Sequence, residues 1–176
     1  MEYNFSRTLD VNNSVLLLVD YQESLLEDIE LHSRADIENN VLALAKGVEA
    51  LGIPAILTTI RAKANGPFFR EIIEIFPNAP LIDRQLSSFD VLEDRELLDA
   101  LQQSGKKQLV LSGLWTSMCM CHTTLHGLSM GFDVLGFADT SGSQILESHN
   151  AALQKLIKDG AVCTCHLNAG RFRMDM

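Results

Sequence analysis

The sequence predicts an α/β fold, a three-layer α/β/α sandwich around a central parallel six-stranded sheet, and three observations carry the prediction. Six short aliphatic or β-branched runs alternate with longer segments of helical spacing, the pattern of successive βα units. The first run, Ser14 to Asp20 (SVLLLVD), is apolar almost without a break, as a strand covered by helices on both faces must be. Gly52, Gly105, Gly131 and Gly160 each stand where a helical segment stops.

After the first strand, the runs Ile53 to Thr59, Ala79 to Arg84, Lys107 to Gly113, Phe132 to Ala138 and Ala161 to Leu167 read as the following strands. Arg34 to Leu51, Glu93 to Gln103, Ser117 to Met130 and Gln144 to Asp159 read as the helices between them. The stretch Arg61 to Pro80, containing Asn65-Gly66-Pro67, breaks the rhythm and predicts a long loop with a short helix over the site. With 176 residues, 47% of them hydrophobic and 21% charged, the chain is expected to form one domain over residues 1–176 with a substantial core.

Fourteen Lys and Arg against 23 Asp and Glu leave a net charge of −9, which repels nucleic-acid phosphates and anionic membrane surfaces. The first residues lack a basic region followed by an apolar run, and no apolar run approaches a membrane span, so a cytoplasmic protein is expected. The four cysteines, Cys119 with Cys121 and Cys163 with Cys165, suit neither a disulfide framework nor a CxxC redox site and read as reduced thiols.

Ligands of open α/β sheets bind beyond the carboxyl ends of the strands, so the strand-to-helix junctions are the places to look. Cys119 falls in the first turn of its predicted helix, where free N–H groups and the positive dipole end favour a thiolate nucleophile; by position alone the small buried hydrophobe is the readier reading. Asp20 closes the first strand, where desolvation raises a carboxyl pKa toward a value useful for proton transfer; its plainer role is to cap the turn Tyr21-Gln22-Glu23. Arg84 ends the third strand and can fork onto the Asp20 carboxylate or a substrate anion, with a surface pair to Asp83 or Asp90 as the plainer reading.

Cys119, His122 and His126 share one helix face at metal-ligand spacing, but the intervening Glu of a zinc hydrolase helix is missing. Neither GxxxxGK[ST] nor GxGxxG occurs, and the expectation is no metal and no cofactor.

An Asp closing the first strand, a basic residue after the third, and Gly113-Leu114-Trp115-Thr116-Ser117-Met118-Cys119 after the fourth resemble the isochorismatase-like cysteine hydrolase superfamily. Thr123, Gly131-Phe132-Asp133-Val134 and Ala138-Asp139 follow at the family's spacing, while Asn65-Gly66-Pro67-Phe68-Phe69 and Ile82-Asp83-Arg84 with Phe89-Asp90 look most like its YcaC-like branch. The resemblance implies a catalytic group of Asp20, Cys119 and a Lys, for which this chain offers Arg84, with Asp83 one residue out of register. It also implies an oxyanion hole from the N–H groups of Trp115 and Cys119, exposed by a cis peptide at Leu114-Trp115. The nicotinamidase branch carries an Asp-x-His metal motif after the second strand; Thr58-Thr59-Ile60-Arg61-Ala62 has neither residue, so nicotinamidase activity is not expected.

The implied reaction is hydrolysis of a small amide's C–N bond through a thioester on Cys119, with Gln22, Phe68, Phe89 and Trp115 as the expected substrate pocket. Two alternatives stay open: vinyl-ether cleavage, which needs the acid but no nucleophile, and a non-catalytic binding or assembly protein on the same fold. A homo-oligomer is expected, since branch members assemble and Met118, Met120, Met130 and Phe172-Arg173-Met174 offer apolar surface.

Overall fold

Alternate side chains of the first strand leave the sheet on opposite faces, and both sets are fully buried, which requires helices on both sides. The computed structural model describes residues 10–85 and 88–167. The strands are β1 (Ser14–Val19), β2 (Ala55–Ile60), β3 (Leu81–Arg84), β4 (Gln108–Gly113), β5 (Asp133–Phe137) and β6 (Val162–Thr164). They form one sheet in the order β3-β2-β1-β4-β5-β6, with every neighbouring pair parallel, as the sequence predicts.

The helices are α1 (Glu23–Leu26), α2 (Arg34–Ala50), α3 (Ala62–Asn65), α4 (Arg70–Ile75), α5 (Arg95–Gln103), α6 (Cys121–Ser129) and α7 (Leu146–Asp159). Leu16 and Leu18 pack with Ile37, Val41 and Leu44 of α2 and Ile72 of α4 on one face of the sheet. Val15, Leu17 and Val19 pack with Leu97 and Leu101 of α5, Cys121 of α6 and Leu156 of α7 on the other. No helix among the described residues is long and apolar enough to cross a membrane.

Several predicted boundaries move, each for a local reason. β2 and β3 start after Pro54 and Pro80, which have no N–H to give a ladder. The helix expected from Glu93 starts at Arg95, because Asp94 caps the Leu97 N–H at 3.1 Å while Val91–Glu93 forms its own 3-10 turn under Asp90. The helix expected over Ser117 to Met130 is divided: Thr116–Met120 forms a π-helical turn and only then does α6 begin. The long segment Arg61 to Pro80 holds two short helices, α3 and α4, rather than one. The last strand shrinks to three residues at the sheet edge, and α7 stops at Gly160, whose φ of +110° few side-chain-bearing residues adopt.

Of the expected interface residues, Met120 is fully buried inside the chain and so is not available, whereas Met130 is exposed. Phe172, Arg173 and Met174 lie outside the described residues.

The chain runs from β1 to β2 on one side, while β4 lies on the other, so the carboxyl ends of β1 and β4 border the crevice where the strand order reverses. Asp20 follows β1 directly and Cys119 sits in the turn after β4. Their separation depends on Gly113, which pairs with Val19 across the two strands. A Cβ at Gly113 would lie 2.6 Å from the Val19 Cβ and 3.1 Å from its carbonyl oxygen, and neither can yield without moving β1. Gly113→Ala is therefore expected to cost about 1–3 kcal/mol of stability, as overpacking does, measured as a lower urea midpoint at unchanged slope.

Candidate active site

Asp20 leaves β1 with a φ of +59°, a left-handed backbone that turns the chain sharply. Its N–H donates to the Thr58 carbonyl at 2.8 Å, its own carbonyl accepts from the Gln22 N–H at 2.8 Å, and its side chain is fully buried. The cap of the turn is thus made by its backbone, which frees the carboxylate. Oδ2 accepts from the Arg84 guanidinium and from the Cys119 thiol, whose sulfur is 3.6 Å away. Oδ1 is buried with no hydrogen-bond partner among the described residues. Burial raises the carboxyl from 3.8 to about 6, against the opposing pull of the Arg84 charge and of the Cys119 and Arg84 hydrogen bonds.

Arg84 reaches from the edge strand β3 over β2 to the end of β1, and only 1% of it is exposed. The expected forked pair to Asp20 is not what forms. Nη2 donates to Asp20 Oδ2, Nε to Thr58 Oγ1 at 2.9 Å and Nη1 to the Ser88 carbonyl at 3.1 Å, so its donors are spread over three acceptors. The alternative basic-position register through Asp83 fails on geometry. That carboxylate accepts from Thr59 Oγ1 at 2.9 Å, the Ala62 N–H at 2.8 Å and Gln85 Nε2 at 2.9 Å, away from Asp20.

Cys119 lies in the π-helical turn ahead of α6 rather than in the first turn of a helix, and it is a thiol at rest, not the expected thiolate. Burial first, and then the adjacent Asp20 carboxylate, push the thiol up to about 12. The Trp115 backbone N–H lowers the thiol slightly against the larger effect of burial, and the Leu114-Trp115 peptide is cis, as the family resemblance implies. The Trp115 indole N–H donates to the Leu25 carbonyl at 2.8 Å, which fixes the ring over α1.

The residues expected to line a pocket divide. Gln22 is fully buried and its amide is used twice by backbone, donating to the Gly66 carbonyl at 2.6 Å and accepting from the Ile60 N–H at 2.8 Å, so it braces the Asn65-Gly66-Pro67 loop. Phe68 is core, packed edge-on to Tyr21 with ring centroids 6.1 Å apart. Phe89 is 46% exposed and stacks on His122 at 6.2 Å, one residue beyond the Ser88 carbonyl that Arg84 holds. The three side chains weighed as metal ligands have separate partners: Cys119 bonds Asp20, His122 stacks on Phe89, and His126 Nδ1 pairs with Asp90 at 2.7 Å.

Sequence reasoning missed Thr58 and Ser88 as braces of Arg84, and it missed His149, whose Nδ1 lies 2.9 Å from Thr116 Oγ1. Thr58 sits in the quoted Thr58-Thr59 pair at the end of a buried strand, where a hydroxyl must find a partner; that was the available signal.

Comparison with known proteins identifies the family and the fold. Residues 14–167 match the isochorismatase domain family. YcaC of Escherichia coli strain K12, described as a probable hydrolase, is 33% identical over 154 residues, 87% of this chain and 74% of that protein. The structure of Pseudomonas aeruginosa YcaC with hexane-2,5-diol and covalent acrylamide superposes with a TM-score of 0.92 at 33% identity, covering 97% of this chain and 85% of that one. The E. coli YcaC structure, described as an octameric hydrolase of unknown specificity, gives 0.91 at 30% identity, covering 98% and 83%. The buried carboxylate, cation and thiol beyond the β1 and β4 ends therefore sit in a chain that belongs to the isochorismatase family and is a YcaC-like hydrolase.

Proposed function

We propose that the site hydrolyses the C–N bond of a small amide through a covalent thioester on Cys119. The observation that carries this reading is the sharing of Asp20 Oδ2 between the Cys119 thiol and the Arg84 guanidinium. As the sulfur attacks the substrate carbonyl, its proton passes to Asp20, a C–S bond forms and the carbonyl becomes an oxyanion. The N–H groups of Trp115 and Cys119 receive that oxyanion. Collapse of the intermediate breaks the C–N bond, and Asp20 returns its proton to the leaving nitrogen. Water then gives a proton to Asp20 and attacks the thioester, the C–S bond breaks and the thiol is restored. Arg84 stays charged throughout and keeps Asp20 in the form that can accept a proton. The covalent acrylamide on P. aeruginosa YcaC supports the choice of a small amide electrophile as probe.

A panel of small amides, with intact-mass spectrometry of the protein, tests the reading. Cys119→Ala and Asp20→Asn are each expected to lower turnover at least about a thousandfold, the scale on which losing a nucleophile or its base acts. Turnover that survives Cys119→Ala but not Asp20→Asn would favour the vinyl-ether type of chemistry, and no turnover across the panel would favour a binding protein.

The pH profile of Cys119 alkylation is the second measurement. Because the Asp20 carboxyl titrates near 6 and only its ionised form accepts the thiol proton, the rate is expected to fall below about pH 6 and to level off above it. Arg84 lowers that pKa, so Arg84→Ala is expected to move the acid limb upward, while Arg84→Lys stays near wild type. Superimposable profiles for the three proteins would remove Arg84 from the site.

We also propose a homo-oligomer, in keeping with the octamer described for E. coli YcaC. Light scattering at micromolar concentration is expected to give a multiple of the 19.5 kDa chain mass, and a monomer would overturn this.

A further inference from the structure

Beside the reacting group lies a second buried cluster that the proposed chemistry does not use. His149, near the start of α7, is 6% exposed, and its Nδ1 lies 2.9 Å from Thr116 Oγ1. His32 stands edge-on to it, ring centroids 5.7 Å apart at 85°, with its Nε2 buried and unpartnered among the described residues. Burial, and then the His32 ring, push His149 below its ordinary value, so the ring is neutral at pH 7.

Thr116 opens the π-helical turn that carries Cys119 and directly follows Trp115, whose backbone N–H acts on the thiol to lower it. Its N–H and its hydroxyl both reach the Gly142 carbonyl, at 2.8 and 3.1 Å. A hydroxyl has one proton and a carbonyl only accepts, so both Thr116 side-chain contacts are hydrogen bonds only when the hydroxyl donates to Gly142 and His149 Nδ1–H donates to Thr116. That fixes the His149 tautomer. The Gly142 backbone is itself pressed against Ile29, since a Cβ there would lie 2.5 Å from the Ile29 Cγ2. Thr116 is thus tied on one side to a closely packed loop and on the other to a helix.

We infer that His149 is a positioning residue of the hydrolase site: by donating to Thr116 it holds the Trp115-Thr116 backbone so that the Trp115 N–H and the Cys119 sulfur keep their alignment. It touches no reacting atom and acts through Thr116. The inference rests on Cys119 being the nucleophile. A packing role alone would need only the volume of the ring, whereas the positioning role needs the donated proton.

The test is the rate of Cys119 alkylation by iodoacetamide at pH 7.5, read by peptide mass spectrometry, with the exposed Cys165 of the same molecule as internal standard. His149→Leu and Thr116→Val are each expected to slow Cys119 by about tenfold to a hundredfold, the range that small misplacements cost, without changing Cys165. His149→Asn, which can donate from the Nδ1 position, and Thr116→Ser, which keeps the hydroxyl, are expected to retain most of the rate. The double variant His149→Leu with Thr116→Val is expected to be no slower than either single one, because both break one link. A His149→Leu protein that alkylates at the wild-type rate, or a His149→Asn protein as slow as His149→Leu, would overturn the positioning role alone. Wild-type Cys119 reacting no faster than Cys165 would overturn the nucleophile reading and this inference with it. If circular dichroism shows His149→Leu unfolded, the Thr116→Val and Thr116→Ser pair decides by the same comparison.

Discussion

A carboxylate with no exposed surface stands at the end of β1, and the rest of the site is arranged around the difficulty of keeping it ionised there. Removing a charge from water costs several kcal/mol unless a partner is close and well bonded. Arg84 is that partner, but it is itself buried, so its other two nitrogens also need acceptors, and Thr58 Oγ1 and the Ser88 carbonyl provide one for each. The edge strand β3 is thereby bound by chemistry as well as by its ladder: the pairing of Ile60 with Arg84 is the register that lets the guanidinium cross β2 to reach Asp20. A one-residue slip would turn Arg84 to the other face and leave the carboxylate uncompensated.

The same burial sets the resting protonation of the two groups between which the proposed mechanism moves a proton. It raises the Asp20 carboxyl to about 6 and the Cys119 thiol to about 12, so at neutral pH the carboxylate is ionised and the sulfur keeps its proton. The proposed nucleophile is therefore not stored as an anion. Two neighbouring anions would repel each other in a poorly hydrated site, and a single Arg would have to neutralise both. A thiol that releases its proton only as the C–S bond forms avoids that arrangement. The unpartnered Oδ1 leaves Asp20 with accepting capacity beyond the two bonds on Oδ2.

The sheet was legible because β1 and β4 are apolar runs whose ends are marked by a charged or small residue, and such runs have few other folds open to them. Asp20, Arg84 and Cys119 were legible as junction residues and through the family motif. The local geometry that gives each its chemistry was not. A φ of +59° at an aspartate has no marker in the sequence, yet it swings Tyr21 and Gln22 into the interior, so Gln22 became a brace and Phe68 joined Tyr21 in the core instead of facing substrate. The π-helical turn was hidden for a similar reason. Trp115's carbonyl accepts from both Met118 and Met120, a tertiary adjustment that residue spacing does not reveal, and it moves Cys119 out of the helix whose dipole would have favoured a thiolate. His149 lies 33 residues from Thr116, and only the packing of α7 on that turn brings the two together.

Arginine in place of lysine gives the site a different character from the Asp, Lys and Cys group that the family resemblance implies. An ammonium is a compact charge on a flexible stem, whereas a guanidinium is a planar fork with donors on separate nitrogens. Arg84 uses that spread to bind Thr58, Ser88 and Asp20 at once, which joins β2, the segment after β3 and the end of β1 through one side chain. Since a guanidinium does not lose its proton in a protein, the positive charge beside Oδ2 is constant through every step of a catalytic cycle. In the proposed cycle Asp20 takes up and returns a proton against a fixed field, and the two-group exchange that a titratable lysine would permit reduces to one carboxylate and one sulfur.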